Sequence, residues 1–168
     1  MAKTHLKSLP CGRPLTAEKD RQTRLKEALL KLDAYSQSMK LNRSEAREKI
    51  LETILDETHH FRALDLLKRL SKKYPNIGKA TLYRTLPILV ESGVLQEGPS
   101  DPEGQTTFEW GDDDHHDHIV CTDCHHIFEF HDEVVEKRQH QLTEKMKFNV
   151  KSHRHVIYAA CEFNHKED

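Results

Sequence analysis

Apolar residues recur at helical spacing through the first half of the chain. Over residues 16–39, Leu25, Ala28, Leu29, Leu32 and Tyr35 fall on one face of a predicted helix. Asn42 followed by Glu45 has the form of a capping box. It predicts a second helix with Ile50, Leu51, Ile54 and Leu55 as its apolar stripe. A third is predicted over "FRALDLLKRLSKKY", with Phe61, Leu64, Leu67 and Leu70 inward. After the turn "PNIG" comes a fourth, "KATLYRTLPILVES", which Gly93 ends. Pro87 removes one backbone bond inside it and predicts a kink or a frayed last turn. Beyond Gly93 the period shortens. "VLQEG" and "TTFEW" read as two short strands around the turn "PSDPEG".

Helices joined by a short turn, a basic last helix and then a hairpin make a winged helix-turn-helix. The turn lets the last helix project into a DNA major groove. Lys79, Thr81, Tyr83, Arg84 and Thr85 lie in its first two turns. Lys and Arg suit phosphates, Arg suits guanine edges, and Tyr and Thr can do either. Any one of these residues is as readily a solvated helix face; it is the whole set, in this order of elements, that points to double-stranded DNA as partner.

The second half alternates and is rich in different chemistry. "HHDHIV" and "IFEF" read as strands, "HDEVVEKRQHQLTEKMKF" as a helix burying Val134, Val135, Leu142 and Met146, and "NVKSH" with "HVIYAA" as a closing strand pair. The fold class is therefore α+β. Residues 1–98 form the winged-helix domain with an N-terminal extension, 99–112 the wing and hinge, and 113–168 a small α/β metal-binding domain. Charge divides the chain at the same place. Residues 1–98 hold 19 Lys/Arg against 12 Asp/Glu, whereas 99–168 hold 7 against 16 and ten of the 13 histidines. The basic half fits a polyanion and the acidic, His-rich half fits divalent cations. No apolar run approaches the ~18 residues of a membrane span, and the first residues lack an apolar signal core. A cytoplasmic protein is expected, in which four cysteines serve metals or remain thiols rather than build a disulfide scaffold.

Alternation sharpens the metal reading. On a strand, His116 and His118 share one face while His115 and Asp117 share the other, so one strand can feed two sites. Imidazole and carboxylate donors suit zinc, iron or manganese rather than calcium. "CTDC" has the Cys121-x2-Cys124 spacing that presents two thiolates to a tetrahedral zinc. Cys161 is the third candidate ligand and His165 the fourth, with a water or a partner's ligand as alternatives in that last place, and Cys11 a weaker candidate because the terminus would have to be fixed. Histidines 125, 126, 131 and 140 carry no spacing argument and are expected at the surface. A metallohydrolase is a rival reading, but catalytic zinc keeps an open position and no HExxH motif occurs, so no enzyme and no small-molecule substrate are expected. A metal buffer would leave the basic winged helix without a use.

"ATLYRTL", "HHDHIVCTDC", Glu109 before that strand, "FEF" and Cys161 together resemble the ferric uptake regulator (Fur) family of metal-responsive repressors, over about Leu41 to Cys161. The resemblance implies a homodimer, with the C-terminal domain as its dimerisation domain. It implies a regulatory site between the two domains, formed by His60, Glu109, His116, His118 and Glu129. It implies a second site of His115, Asp117, Glu136 and His153, beside the structural zinc site. The carboxylates at 109 and 129 are glutamates, where the peroxide-sensing branch favours aspartates. No cysteine stands near the regulatory donors, as one often does in the zinc-uptake branch. Fe2+ is therefore the expected regulatory metal, with a peroxide-, zinc- or manganese-responsive regulator as the alternatives. Relative to the family pattern, the second C-terminal cysteine pair is reduced to Cys161, and the stretch before about Arg21 is longer, able to add DNA contacts or pack on the wing.

Overall fold

Leucines and isoleucines at helical spacing cluster into one core in the first half of the chain, and a strand sheet organises the second. The computed structural model describes residues 21–57, 60–111 and 115–160, with backbone strands at 4–6, 8–9 and 13–14. In chain order the elements are β1 (Thr4–Leu6), β2 (Ser8–Leu9), β3 (Arg13–Pro14), α1 (Arg21–Ser38), α2 (Glu45–Ile54), β4 (Phe61–Arg62), α3 (Ala63–Lys73), α4 (Lys79–Glu91), β5 (Leu95–Ser100), β6 (Thr106–Trp110), β7 (Asp117–Cys121), β8 (Ile127–Asp132), α5 (Glu133–Lys145) and β9 (Val156–Ala159). They divide into two units. One runs from α1 to the end of β6; the other joins the N-terminal strands to β7, β8, α5 and β9.

In the first unit, Ile50, Leu51, Ile54, Leu66, Leu70, Leu82 and Leu89 are almost wholly removed from solvent. Each such side chain contributes about 1.5–3 kcal/mol of burial. The wing is a three-stranded sheet, β4-β6-β5. Lys31 on α1 ties it to the helices by donating to the carbonyls of Gly93 (3.0 Å) and Gly111 (2.7 Å). The Trp110 indole N–H donates to the Glu57 carbonyl at 3.1 Å, and the Arg24 guanidinium lies over its ring.

Several local expectations change. Ser44, not Asn42, caps α2: its hydroxyl accepts from the Arg47 N–H at 3.3 Å. The third helical position is thus Arg47, which cannot reciprocate, and there is no capping box. Phe61 belongs to a strand, so α3 starts at Ala63 and turns Ala63, Leu66 and Leu70 inward; Leu64 is 40% exposed. On α1, Ala28 and Leu32 are buried while Leu29 is exposed. Around exposed Pro87, α4 neither ends nor frays. Its last turn closes with Ser92 N–H donating to Ile88 O and Val94 N–H to Leu89 O, and Gly93 takes the left-handed φ of 72°.

The second unit is built on a sheet of order β1-β8-β7-β9. β7 pairs antiparallel with β8 and parallel with β9. "NVKSH" is not a strand: residues 149–155 are irregular, because β9 reaches β7 from the same direction and no hairpin forms. The remaining β8 edge is filled from the N-terminus, with Thr4 opposite Asp132 and Leu6 opposite Phe130. The segment expected with the DNA-reading half thus contributes a strand to the other unit. Asp132 caps α5, accepting from the N–H groups of Val134 (2.8 Å) and Val135 (3.2 Å). No residue of α5 is buried; Val134, Leu142 and Met146, expected inward, are 57%, 53% and 60% exposed. Nothing within the single chain covers that stripe among the described residues.

Candidate metal centres and nucleic-acid interface

α3, the turn through Tyr74–Gly78 and α4 form the helix-turn-helix. Ile77 is buried under the turn and fixes it. Gly78 precedes α4 without a side-chain cap, and its carbonyl accepts from the N–H groups of Thr81 (3.1 Å) and Leu82 (3.2 Å); the positive end of the helix dipole there suits a phosphate. Lys79, Tyr83 and Arg84 are exposed, Thr81 half-buried, and the Lys79 ammonium lies 5.5 Å from the centre of the Tyr83 ring. Thr85 departs from the expectation. It is 6% exposed and its hydroxyl donates to the Thr81 carbonyl at 2.9 Å, because its helical position faces the core beside Leu82 and Leu86. It serves the packing of the helix.

In the same unit, His60 Nε2 lies 2.8 Å from Glu109 Oε2, with side chains 5% and 7% exposed. β4 explains the pairing. Phe61 is opposite Phe108 in antiparallel register, so the next step along the strands sets His60 facing Glu109. Gly98 on β5 makes room for the ring: a Cβ there would fall 2.7 Å from His60 Cδ2 and 2.6 Å from Thr107 Oγ1. Nearby, burial pushes the Glu57 carboxyl up against the opposing pull of its ion pair with Arg69.

In the second unit, the rings of His116 and His118 stand 4.9 Å apart, centre to centre. His118 is opposite Glu129 in the β7–β8 register, and Glu129 Oε2 lies 3.9 Å from His116 Nε2. On the other side of β7, His115, Asp117, Glu136 and His153 bring four donor atoms within 4.8 Å of one another. His115 Nε2 is 3.6 Å from Asp117 Oδ1 and 3.3 Å from Glu136 Oε1; His153 Nε2 is 3.8 Å and 3.2 Å from the same two oxygens. Metal–nitrogen bonds of 2.0–2.1 Å in a tetrahedron put donors ~3.3 Å apart, so this set fits one divalent ion. Asp117 supports the fit. It is 1% exposed and neither carboxylate oxygen has a hydrogen-bond partner, which is costly for an anion that no cation meets.

Cys121 is buried and Cys124 half-buried. The N–H groups of Asp123 and Cys124 point at Cys121 Sγ, at 3.4 and 3.5 Å. That knuckle stabilises a thiolate and suits zinc. His125 completes the turn in the left-handed region at φ 61°. Cys161 and His165 lie outside the described residues. Of the histidines expected at the surface, 125 and 140 are exposed, whereas His131 is half-buried with its Nδ1 shielded and its ring 6.5 Å from that of His115. His155 was not assigned from the sequence; its Nδ1 lies 3.7 Å from Asp117 Oδ2.

A winged helix and a donor-rich strand unit on one chain define a metal-responsive, DNA-binding transcriptional regulator, not an enzyme. The chain belongs to the ferric uptake regulator family, whose profile matches residues 37–158. The ferric uptake regulation protein of Bordetella parapertussis is 37% identical over 125 residues, 74% of this chain and 89% of its own. The structure of the Vibrio cholerae ferric uptake regulator is 31% identical, with a TM-score of 0.63 over 84% of this chain and 100% of that one. That of the ferric uptake regulator from Francisella tularensis, solved with iron, is 28% identical, with a TM-score of 0.66 over 72% and 92%.

Proposed function

We propose that the chain is an iron-responsive repressor that acts in the cytoplasm as a homodimer on a double-stranded operator. The observation that carries this reading is the buried His60–Glu109 pair, a half-site on the wing of the DNA-reading unit. The other half is His116, His118 and Glu129 on the strand unit. These five residues would hold one Fe2+, which would supply a positive centre between the two carboxylates. His60 and Glu109 then restrain the winged helix against the strand unit. In a dimer, that restraint sets the separation of two α4 helices, which must meet major grooves ~34 Å apart. Cys121 and Cys124, with Cys161 and His165, hold a structural zinc, and His115, Asp117, Glu136 and His153 hold the second ion. The apolar stripe Val134, Leu142 and Met146 supports the dimer, since a second copy can cover what the chain leaves bare. The Francisella protein, solved with iron, supports the choice of metal.

The test is anaerobic anisotropy on a duplex selected from random DNA by the metal-loaded chain. Chelation should weaken binding about 5–150-fold, the range of a 1–3 kcal/mol coupling. Fe2+ should restore it, at lower concentration than Mn2+ as the affinity order of a nitrogen and oxygen donor set requires, and His116→Ala should bind weakly with or without metal while remaining folded. Equal binding after chelation defeats the proposal. Restoration by manganese or zinc alone replaces iron with that metal.

A further inference from the structure

Asp117 is the most enclosed donor of the second metal set, and its two oxygens face different partners. Oδ1 faces His115 and His153, at 3.6 and 3.8 Å. Oδ2 faces the Nδ1 of His155, at 3.7 Å. We propose that His155 is the outer partner of Asp117, holding Oδ2 so that Oδ1 alone faces the ion bound with His115, Glu136 and His153. This rests on the reading of those four residues as a metal site.

Three observations support it. Oδ1, Oδ2 and the His155 Nδ1 are all buried and lack hydrogen-bond partners. A cation satisfies the first, and an Nδ1–H donated to Oδ2 satisfies the other two together. The separation of 3.7 Å exceeds a hydrogen bond, but a small rotation of ring or carboxylate closes it. Next, His155 is held in place from two directions. Its carbonyl accepts from the His118 N–H at 3.1 Å, which pins its main chain beside Asp117 on β7. Its ring stands edge-on to Phe130 at 6.0 Å and 72°, and Phe130 is the residue opposite Asp117 in the β7–β8 register. Last, His155 stands outside the donors that lie within 4.8 Å of one another, so it is not a fifth ligand to the same ion.

The chemical consequence is coordination number. A carboxylate free at both oxygens can chelate and expand the shell. One whose second oxygen is engaged stays monodentate and keeps the centre four-coordinate. His155 is therefore a positioning residue that biases the second centre toward tetrahedral ions.

The test is titration of the full-length, chelator-stripped chain with Co2+, whose visible bands are strong in tetrahedral sites and weak in expanded ones. His153→Ala identifies the bands of this centre by their loss. If those bands survive in His153→Ala, the four-residue site itself is wrong, whatever His155 does. Given their loss, His155→Met, which cannot donate, should lower Co2+ affinity 10–100-fold and weaken the remaining bands, whereas His155→Gln, of similar length and able to donate, should restore both. Should His155→Met fail to fold by circular dichroism, His155→Phe takes its place in the comparison with His155→Gln. Wild-type affinity and bands in the non-donor variant, or equal losses in donor and non-donor variants, overturn the proposal.

Discussion

Arg84 and Thr85 are neighbours on α4 with different surroundings. Arg84 is exposed toward solvent, and Thr85 is buried with its hydroxyl spent on the turn above. Arg84→Ala should weaken operator binding by about 1–3 kcal/mol and relax sequence preference, while Thr85→Val should leave affinity at fixed salt within a few-fold, by anisotropy. The helical pattern located the DNA-reading helix but not which of its polar residues look outward, because a threonine serves a core and a groove equally. Asp65 gives a pH signature. The Arg62 guanidinium at 2.7 Å, and then Lys68, hold its carboxyl below its ordinary range. A depressed carboxyl contributes stability above its unfolded value, near ~3.9, and loses it as pH falls through the folded value. Asp65→Asn should thus lower stability at pH 7 by roughly 0.2–1 kcal/mol, and the two proteins should converge in strong acid. Denaturant titrations across pH would measure this.

At the scale of elements, helix positions were largely readable, because leucines and isoleucines at three- and four-residue spacing have few other uses. The short strands were not. β4 is two residues long, too short for any periodicity, yet its register brings His60 to Glu109. β9 pairs parallel, which no local turn announces. The candidate donor groups were legible for the opposite reason: alternation at the start of β7 separates His115 and Asp117 from His116 and His118 without knowledge of its neighbours. Gly98 belongs to this scale as well. A methyl group there would collide with the Thr107 hydroxyl, itself bound to the Pro99 carbonyl at 2.6 Å, and with the His60 ring. Gly98→Ala should cost about 1–3 kcal/mol of stability and reduce metal-dependent DNA binding; thermal unfolding and anisotropy check the two effects separately.

For the whole molecule, α5 shows the limit of reading an apolar stripe against its own chain alone. Its apolar residues follow helical spacing, and the expectation that they turn inward assumed that every apolar stripe meets its own chain. Among the described residues nothing covers Val134, Leu142 and Met146. Leu142→Glu should therefore shift the protein toward monomer by light scattering with little change in the melting of the winged-helix unit; a dimer of unchanged strength would place the interface elsewhere.

The N-terminal strand has a practical corollary. Residues 4–6 extend the sheet that carries Asp117 and its histidines. An affinity handle fused ahead of Met1 would hang from that sheet, and a polyhistidine one would add imidazoles to every ion count. Stoichiometry should be measured on protein whose leading handle has been cut away.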